Sequence, residues 1–159
     1  MHSCCVIGLG YIGLPTAALF SKKGFKVLGV DINLDTVSKV NKGISPIQEP
    51  SLQDEIQNCV KAGNLKASSK PNYADIFVIA VPTPIKLGSK IPEPDLTFLK
   101  NAVKSIMPFL KSDNSVIIES TSPVGTTKDL FSLIIENTGL KENQIFMAYC
   151  PERVLPGRI

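Results

Sequence analysis

The chain has 159 residues, a hydrophobic share of 43% and a formal net charge of +3, enough for one domain with a substantial core. So mild a charge, with Lys and Asp/Glu interspersed and no basic run, argues against a nucleic-acid partner. No apolar run approaches the ~20 residues of a membrane span, and no basic-then-apolar leader opens the sequence, so a cytoplasmic protein without a membrane partner is expected.

The first apolar run, Cys4-Cys5-Val6-Ile7, ends at Gly8 and reads as a buried parallel strand. The glycines of Gly8-Leu9-Gly10-Tyr11-Ile12-Gly13 follow at once, and Leu14 to Lys23 reads as a helix. Glycines on a strand-to-helix turn suit a pyrophosphate. Gly8 permits the tight turn, Gly10 lets the backbone approach the phosphates, and Gly13 lets helix and strand pack closely. The helix's unpaired amides and its positive dipole end then face the anion. A second strand, Lys26 to Val30, leads to Asp31, eighteen residues beyond Gly13, near the ~20 expected for an acid that binds an adenosine ribose. A carboxylate there repels a 2′-phosphate, and neither Arg nor Lys stands in Ile32-Asn33-Leu34-Asp35. The expected cofactor is therefore NAD rather than NADP.

Farther along, Leu34 to Lys42 is a predicted helix with Leu34, Val37 and Val40 on its apolar face. Leu52 to Ala62 is another, with Ser51 as the expected N-cap and Asp54 and Glu55 in the first turn. Leu65 to Ser68 is a short strand, and Ile76 to Val81, apolar throughout, is a central one ended by Pro82-Thr83-Pro84. Asp95 to Leu110 carries apolar residues at helical spacing, with Pro108 set to kink or end it. Ser115 to Glu119 is a strand, Gly125 to Asn137 a helix stopped by Gly139, and Ile145 to Tyr149 a sixth strand. This alternation predicts an α/β fold, a doubly wound parallel six-stranded sheet of the Rossmann type in the order 3-2-1-4-5-6.

Cys4, Cys5, Cys59 and Cys150 match no zinc spacing, and no metal is expected; all four read as structural. Ligands of such sheets lie beyond the carboxyl ends of the strands. Pro82 and Thr83 leave the fourth strand on the adenosine side, and also read as a proline-stiffened turn. Thr121 leaves the fifth strand within a run of hydroxyls that can cap the next helix or meet the nicotinamide. Glu152 and Arg153 leave the sixth strand, either as an ion pair or as a guanidinium that binds an anionic substrate.

Six segments carry a resemblance: 8–15, 30–33, 48–52, 81–84, 119–127 and 151–157. Together they resemble the NAD-binding N-terminal domain of the UDP-glucose/GDP-mannose dehydrogenase family, over essentially the whole chain and in the family's order. The Pro151-Glu152-Arg153 form is similar to the UDP-N-acetyl-D-mannosamine branch. The resemblance implies oxidation of a UDP-sugar's primary alcohol to a carboxylate for polysaccharide precursors, with two hydrides passing to two NAD molecules. It implies that Gly8, Gly10, Tyr11, Ile12 and Gly13 hold the pyrophosphate, Asp31 the ribose, and Pro82 and Thr83 the adenosine side. It places Thr121 and Glu152 by the cofactor and the reacting centre, and Arg153 and Val154 against the sugar nucleotide. The family's catalytic cysteine, lysine and aspartate belong to a later motif that is absent from 1–159. The chain is thus expected to be a fragment that binds NAD without turnover, from a protein that dimerises through a helix it lacks. A stand-alone NAD(H)-sensing module and an S-adenosylmethionine domain remain the rival readings, the latter opposed by the third glycine and by Val81-Pro82-Thr83-Pro84.

Overall fold

The structure is a computed structural model and describes residues 2–49, 51–86 and 92–153. Six strands form one sheet: β1 (Ser3–Ile7), β2 (Lys26–Val30), β3 (Leu65–Ser68), β4 (Ile76–Ile79), β5 (Asn114–Ile118) and β6 (Ile145–Tyr149). Their order is β3-β2-β1-β4-β5-β6 and every pairing is parallel, as predicted. The chain reverses direction across the sheet between β1 and β4. That divergence opens a crevice above their carboxyl ends.

Because successive strand residues face opposite ways, β1 feeds both sides of the sheet. Cys5 and Ile7 join a core with Phe77, Ile79, Val116 and Ile118. Cys4 and Val6 join a second core with Val27, Leu65 and Val78. Helices α1 (Gly13–Lys22) and α3 (Leu52–Lys61) cover the second core through Leu14, Ala17, Ala18, Ile56 and Cys59. Helices α4 (Thr97–Ile106) and α5 (Thr126–Thr138) cover the first through Leu99, Val103, Ile106, Leu130 and Ile134. The short α2 (Leu34–Asn41) contributes only Val40 to a core, and Leu34 is exposed. Among the described residues no helix is long and apolar enough to cross a membrane.

Several boundaries differ from expectation. The strand predicted to reach Val81 stops at Ile79. The Val81 amide instead donates to Ser120 Oγ at 2.9 Å. The helix predicted from Asp95 begins at Thr97, because Asp95 Oδ1 accepts from the Thr97 amide. At its other end Pro108 tightens the chain into a 3₁₀ turn, Met107–Phe109. Ser51 does precede α3, but with φ of 65° and no side-chain cap bond. Gln53 ties that entry instead, donating to the Gly43 carbonyl and accepting from the Ser45 amide. Nor do the hydroxyls after β5 cap α5: its N-cap is Gly125 at φ 93°. Gly139 ends α5 in the left-handed conformation expected of it. Cys4, Cys5 and Cys59 are buried as anticipated, whereas Cys150 is exposed.

Candidate functional site

The glycine turn is built by steric exclusion. Gly8 has φ +96°, and a Cβ there would stand 2.5 Å from the Ala80 carbonyl oxygen. A Cβ on Gly13 would run into the Gly8 carbonyl oxygen and crowd Ala80 Cβ. Between them, Leu9 is buried over Gly29 of β2, where a Cβ would meet Leu9 Cδ2 at 2.7 Å. Gly10 differs: it is exposed, and nothing lies within 4 Å of where its Cβ would be. No atom of the described residues therefore demands glycine at that position. The space beside it suits a closely approaching ligand.

Helix α1 starts without a side-chain cap and without an acid in its first turn. Its first backward amide bond is from Leu14 to the Gly10 carbonyl, 3.1 Å, which leaves the amides before it without an intrahelical acceptor. These are donors for an anion. Asp31 braces the same turn from the end of β2. Its Oδ2 accepts from the Leu9 amide at 2.9 Å and its Oδ1 from the Asn33 amide at 2.8 Å. Each oxygen retains a lone pair for a further donor.

Above the strand ends lies a cleft of about 940 Å³, large enough for a cofactor-sized ligand. It runs from Asp31 and Ile32, past Gly8, Gly10, Tyr11 and Ile12, along Val81, Pro82 and Thr83, to Glu119, Thr121 and Glu152. Among the described residues its charged lining groups are all carboxylates, Asp31, Glu119 and Glu152, with neither Lys nor Arg. An elongated anion held by amides, with a ribose at the acid, fits this arrangement, and a 2′-phosphate does not. No group of His, Cys, Asp and Glu among the described residues could hold a metal ion.

The far end is set by β5. Ser120 is buried; its hydroxyl accepts from the Val81 amide and donates to the Val81 carbonyl at 2.8 Å, clamping the β4 and β5 exits together. Thr121, next in sequence, is exposed to the cleft. Glu119 is half-buried and accepts a hydrogen bond from Thr16 Oγ1 of α1 at 3.1 Å. Burial raises its pKa, the Thr16 bond opposes that, and the nearby Glu152 charge adds to it. Glu152 is exposed and accepts from the Arg153 amide. Arg153 belongs to none of the three ion pairs among the described residues and does not line the cleft. Burial pushes the Cys4 thiol up to about 12 and the Cys5 thiol up to about 11, so neither is a thiolate at neutral pH.

Residues 2–159 match the UDP-glucose/GDP-mannose dehydrogenase family, NAD binding domain. The chain belongs to this family. Its cofactor is NAD, which decides against S-adenosylmethionine. A UDP-N-acetyl-D-mannosamine dehydrogenase of Methanocaldococcus jannaschii is 45% identical over 98% of this chain and 35% of its own length. One of Campylobacter jejuni is 47% identical over 99% of this chain and 40% of its own. The solved UDP-N-acetyl-mannosamine dehydrogenase from Staphylococcus aureus superposes with a TM-score of 0.92 at 44% identity, covering 98% of this chain and 38% of that one. The chain thus spans well under half the length of these relatives.

In this member of the dehydrogenase family the cleft gathers Gly8, Gly10, Tyr11, Ile12, Asp31, Pro82, Thr83, Thr121 and Glu152. It leaves out Gly13, the buried first residue of α1, and Arg153; Val154 lies outside the described residues. Sequence reasoning missed Phe98, Asn101 and Ser105, which bring one face of α4 to the cleft. Their helical spacing was visible, but a face opposite Leu99 and Val103 reads as solvated. Glu119 was also missed as a site residue, since its partner Thr16 is 103 residues away in sequence.

Proposed function

We propose that this chain is the NAD-binding part of a dehydrogenase that oxidises the primary alcohol of a UDP-sugar, UDP-N-acetylmannosamine or a closely related one, to the carboxylate. In this reading residues 1–159 form one domain of a longer cytoplasmic protein. That protein dimerises through a segment outside this chain, supplies polysaccharide precursors and engages no nucleic acid. The observation that carries the reading is the joining, in one cleft, of the glycine turn, Asp31, Thr121 and Glu152, in a chain 43–48% identical to UDP-N-acetyl-D-mannosamine dehydrogenases.

The amides at Gly10, Tyr11 and Ile12 hold the pyrophosphate, and Gly8 and Gly13 shape the turn that presents them. Asp31 binds the adenosine ribose while keeping the Leu9 and Asn33 amides in place. Pro82 and Thr83 line the adenosine side. Thr121 and Glu152 stand at the nicotinamide end, where Thr121 orients a hydroxyl or water and Glu152 takes part in proton transfer. Arg153 and Val154 contact the sugar nucleotide. The chemistry supplied by bound NAD is hydride acceptance. The covalent step requires a thiolate; neither Cys4 nor Cys5 offers one, and the family resemblance assigns that step to the later motif that is absent from 1–159.

Calorimetric titration with NAD, NADP and S-adenosylmethionine tests the cofactor site. Saturable binding of NAD, weaker binding of NADP and none of S-adenosylmethionine is expected; a silent NAD titration at millimolar ligand would sink the residue assignments. Incubation of the 159-residue chain with NAD and UDP-N-acetylmannosamine is expected to yield no NADH. Sustained NADH production would place the nucleophile inside this chain after all.

A further inference from the structure

Among the described residues every charged side chain lining the cleft is an acid, and two of the three, Glu119 and Glu152, stand together at the β5–β6 end. On the reading above, that end receives the nicotinamide. The ring is cationic when oxidised and neutral when reduced, whereas the rest of the dinucleotide keeps its charge. A fixed negative charge near the ring therefore acts differently on the two forms. A charge at the adenosine end does not.

Glu119 is the better placed of the two to act in this way. It leads out of β5, half-buried, with its carboxylate held by Thr16 Oγ1 at 3.1 Å. The hydroxyl is rooted in the first turns of α1, the helix whose start faces the cleft. Thr16 Oγ1 is also its only hydrogen-bond donor among the described residues, with distances to the two oxygens of 3.4 and 3.1 Å. A carboxylate offers about four acceptor sites, so the described residues leave most of its capacity unused. The groups that act on its charge are the Thr16 hydroxyl from α1 and the Glu152 carboxylate from beyond β6. No cation among the described lining residues balances the pair. A cationic ring is the counter-charge the arrangement lacks.

We propose that Glu119, anchored by Thr16 and reinforced by Glu152, makes this cleft bind the oxidised, positively charged nicotinamide more tightly than the reduced one. The inference rests on the NAD reading of the cleft.

The test compares dissociation constants for NAD, NADH and ADP-ribose in the unaltered protein, in Glu119→Gln and in Thr16→Val. Glutamine keeps the acceptor for Thr16 and removes only the charge. The expected result is a fall in the preference for NAD over NADH of roughly five-fold in Glu119→Gln, the effect of one charge a few ångströms away even with water's screening. Affinity for ADP-ribose, which lacks the ring, is expected to stay unchanged. Thr16→Val is expected to shift the preference the same way by less, and it serves as the readout if Glu119→Gln does not fold. ADP-ribose binding with an unaltered NAD-to-NADH ratio in the variants overturns this inference and leaves the cofactor reading intact. Failure of the unaltered protein to bind either NAD or ADP-ribose overturns both.

Discussion

At the scale of single residues, the site assigns two tasks to Asp31. It receives the Leu9 and Asn33 amides and, in the proposed function, a ribose hydroxyl. Asp31→Ala is expected to weaken NAD binding by on the order of 1.5–3 kcal/mol, the range for a charge-assisted hydrogen bond, and to lower the melting temperature as two amides lose their acceptor. Calorimetry and thermal melts read these separately. An unchanged dissociation constant would remove Asp31 from the ribose.

Two carboxyls give opposite pH dependences. Burial raises the Glu119 pKa above its ordinary 4.5, so folding favours its protonated form. Its favourable contribution is complete below that ordinary value and is lost as the pH rises through the folded-state value. Glu119→Gln is therefore expected to melt above the unaltered protein at pH 7 and to lose that advantage in acid. Asp75 behaves the other way. The Ser3 amide and hydroxyl, each donating at 2.8 Å, hold its carboxyl below its ordinary 3.8. Its contribution is present above 3.8 and is lost as the pH falls through the folded-state value. Asp75→Asn is expected to flatten the acid limb of a stability profile, and an unaltered limb would show that Ser3 does not hold the ionised form.

At the scale of the element, the strand–turn–helix from β1 to α1 separates glycines that build the turn from the one that admits the ligand. A Cβ at Gly13 meets backbone that cannot yield, since the Gly8 carbonyl belongs to the same turn. Gly13→Ala is expected to destabilise the protein by about 3 kcal/mol or more, the upper range for overpacking. A Cβ at Gly10 meets nothing. Gly10→Ala is expected to leave the urea midpoint within experimental error and to weaken NAD at least ten-fold. A fall in both quantities for Gly10→Ala would mean that the turn, not the ligand, needs that glycine. The motif was legible in the sequence, but this division of labour was not, because it depends on Ala80, which follows β4 about seventy residues later.

At the scale of the whole molecule, the parallel sheet separates two cores that share only its backbone. Leu14 lies in one and Ile134 in the other, both fully buried. Each truncation to alanine is expected to cost about 2–5 kcal/mol. The double variant should equal the sum to within about 0.5 kcal/mol, as for sites without shared partners. Denaturant unfolding of the two singles and the double checks this, and a larger discrepancy would mean that the sheet transmits strain between its faces.

What the sequence determined by itself is whatever depends on local pattern. Apolar runs of four to six residues between amphipathic stretches dictated strands and helices. Two adjacent cysteines in the first strand dictated a sheet covered on both faces. The glycine spacing and the following acid dictated the cofactor class. Only the tertiary structure decided where elements stop and who their partners are. Val81 leaves its strand because Ser120 takes its amide; α5 starts at a glycine although hydroxyls precede it; Cys150 ends outside the cores and Arg153 outside the cleft. The same holds for the α4 face with Phe98, Asn101 and Ser105, and for Glu119 with Thr16. Periodicity encodes contacts within one element. Groups that meet across a hundred residues are brought together by the order in which strands pack, and no local pattern carries that information.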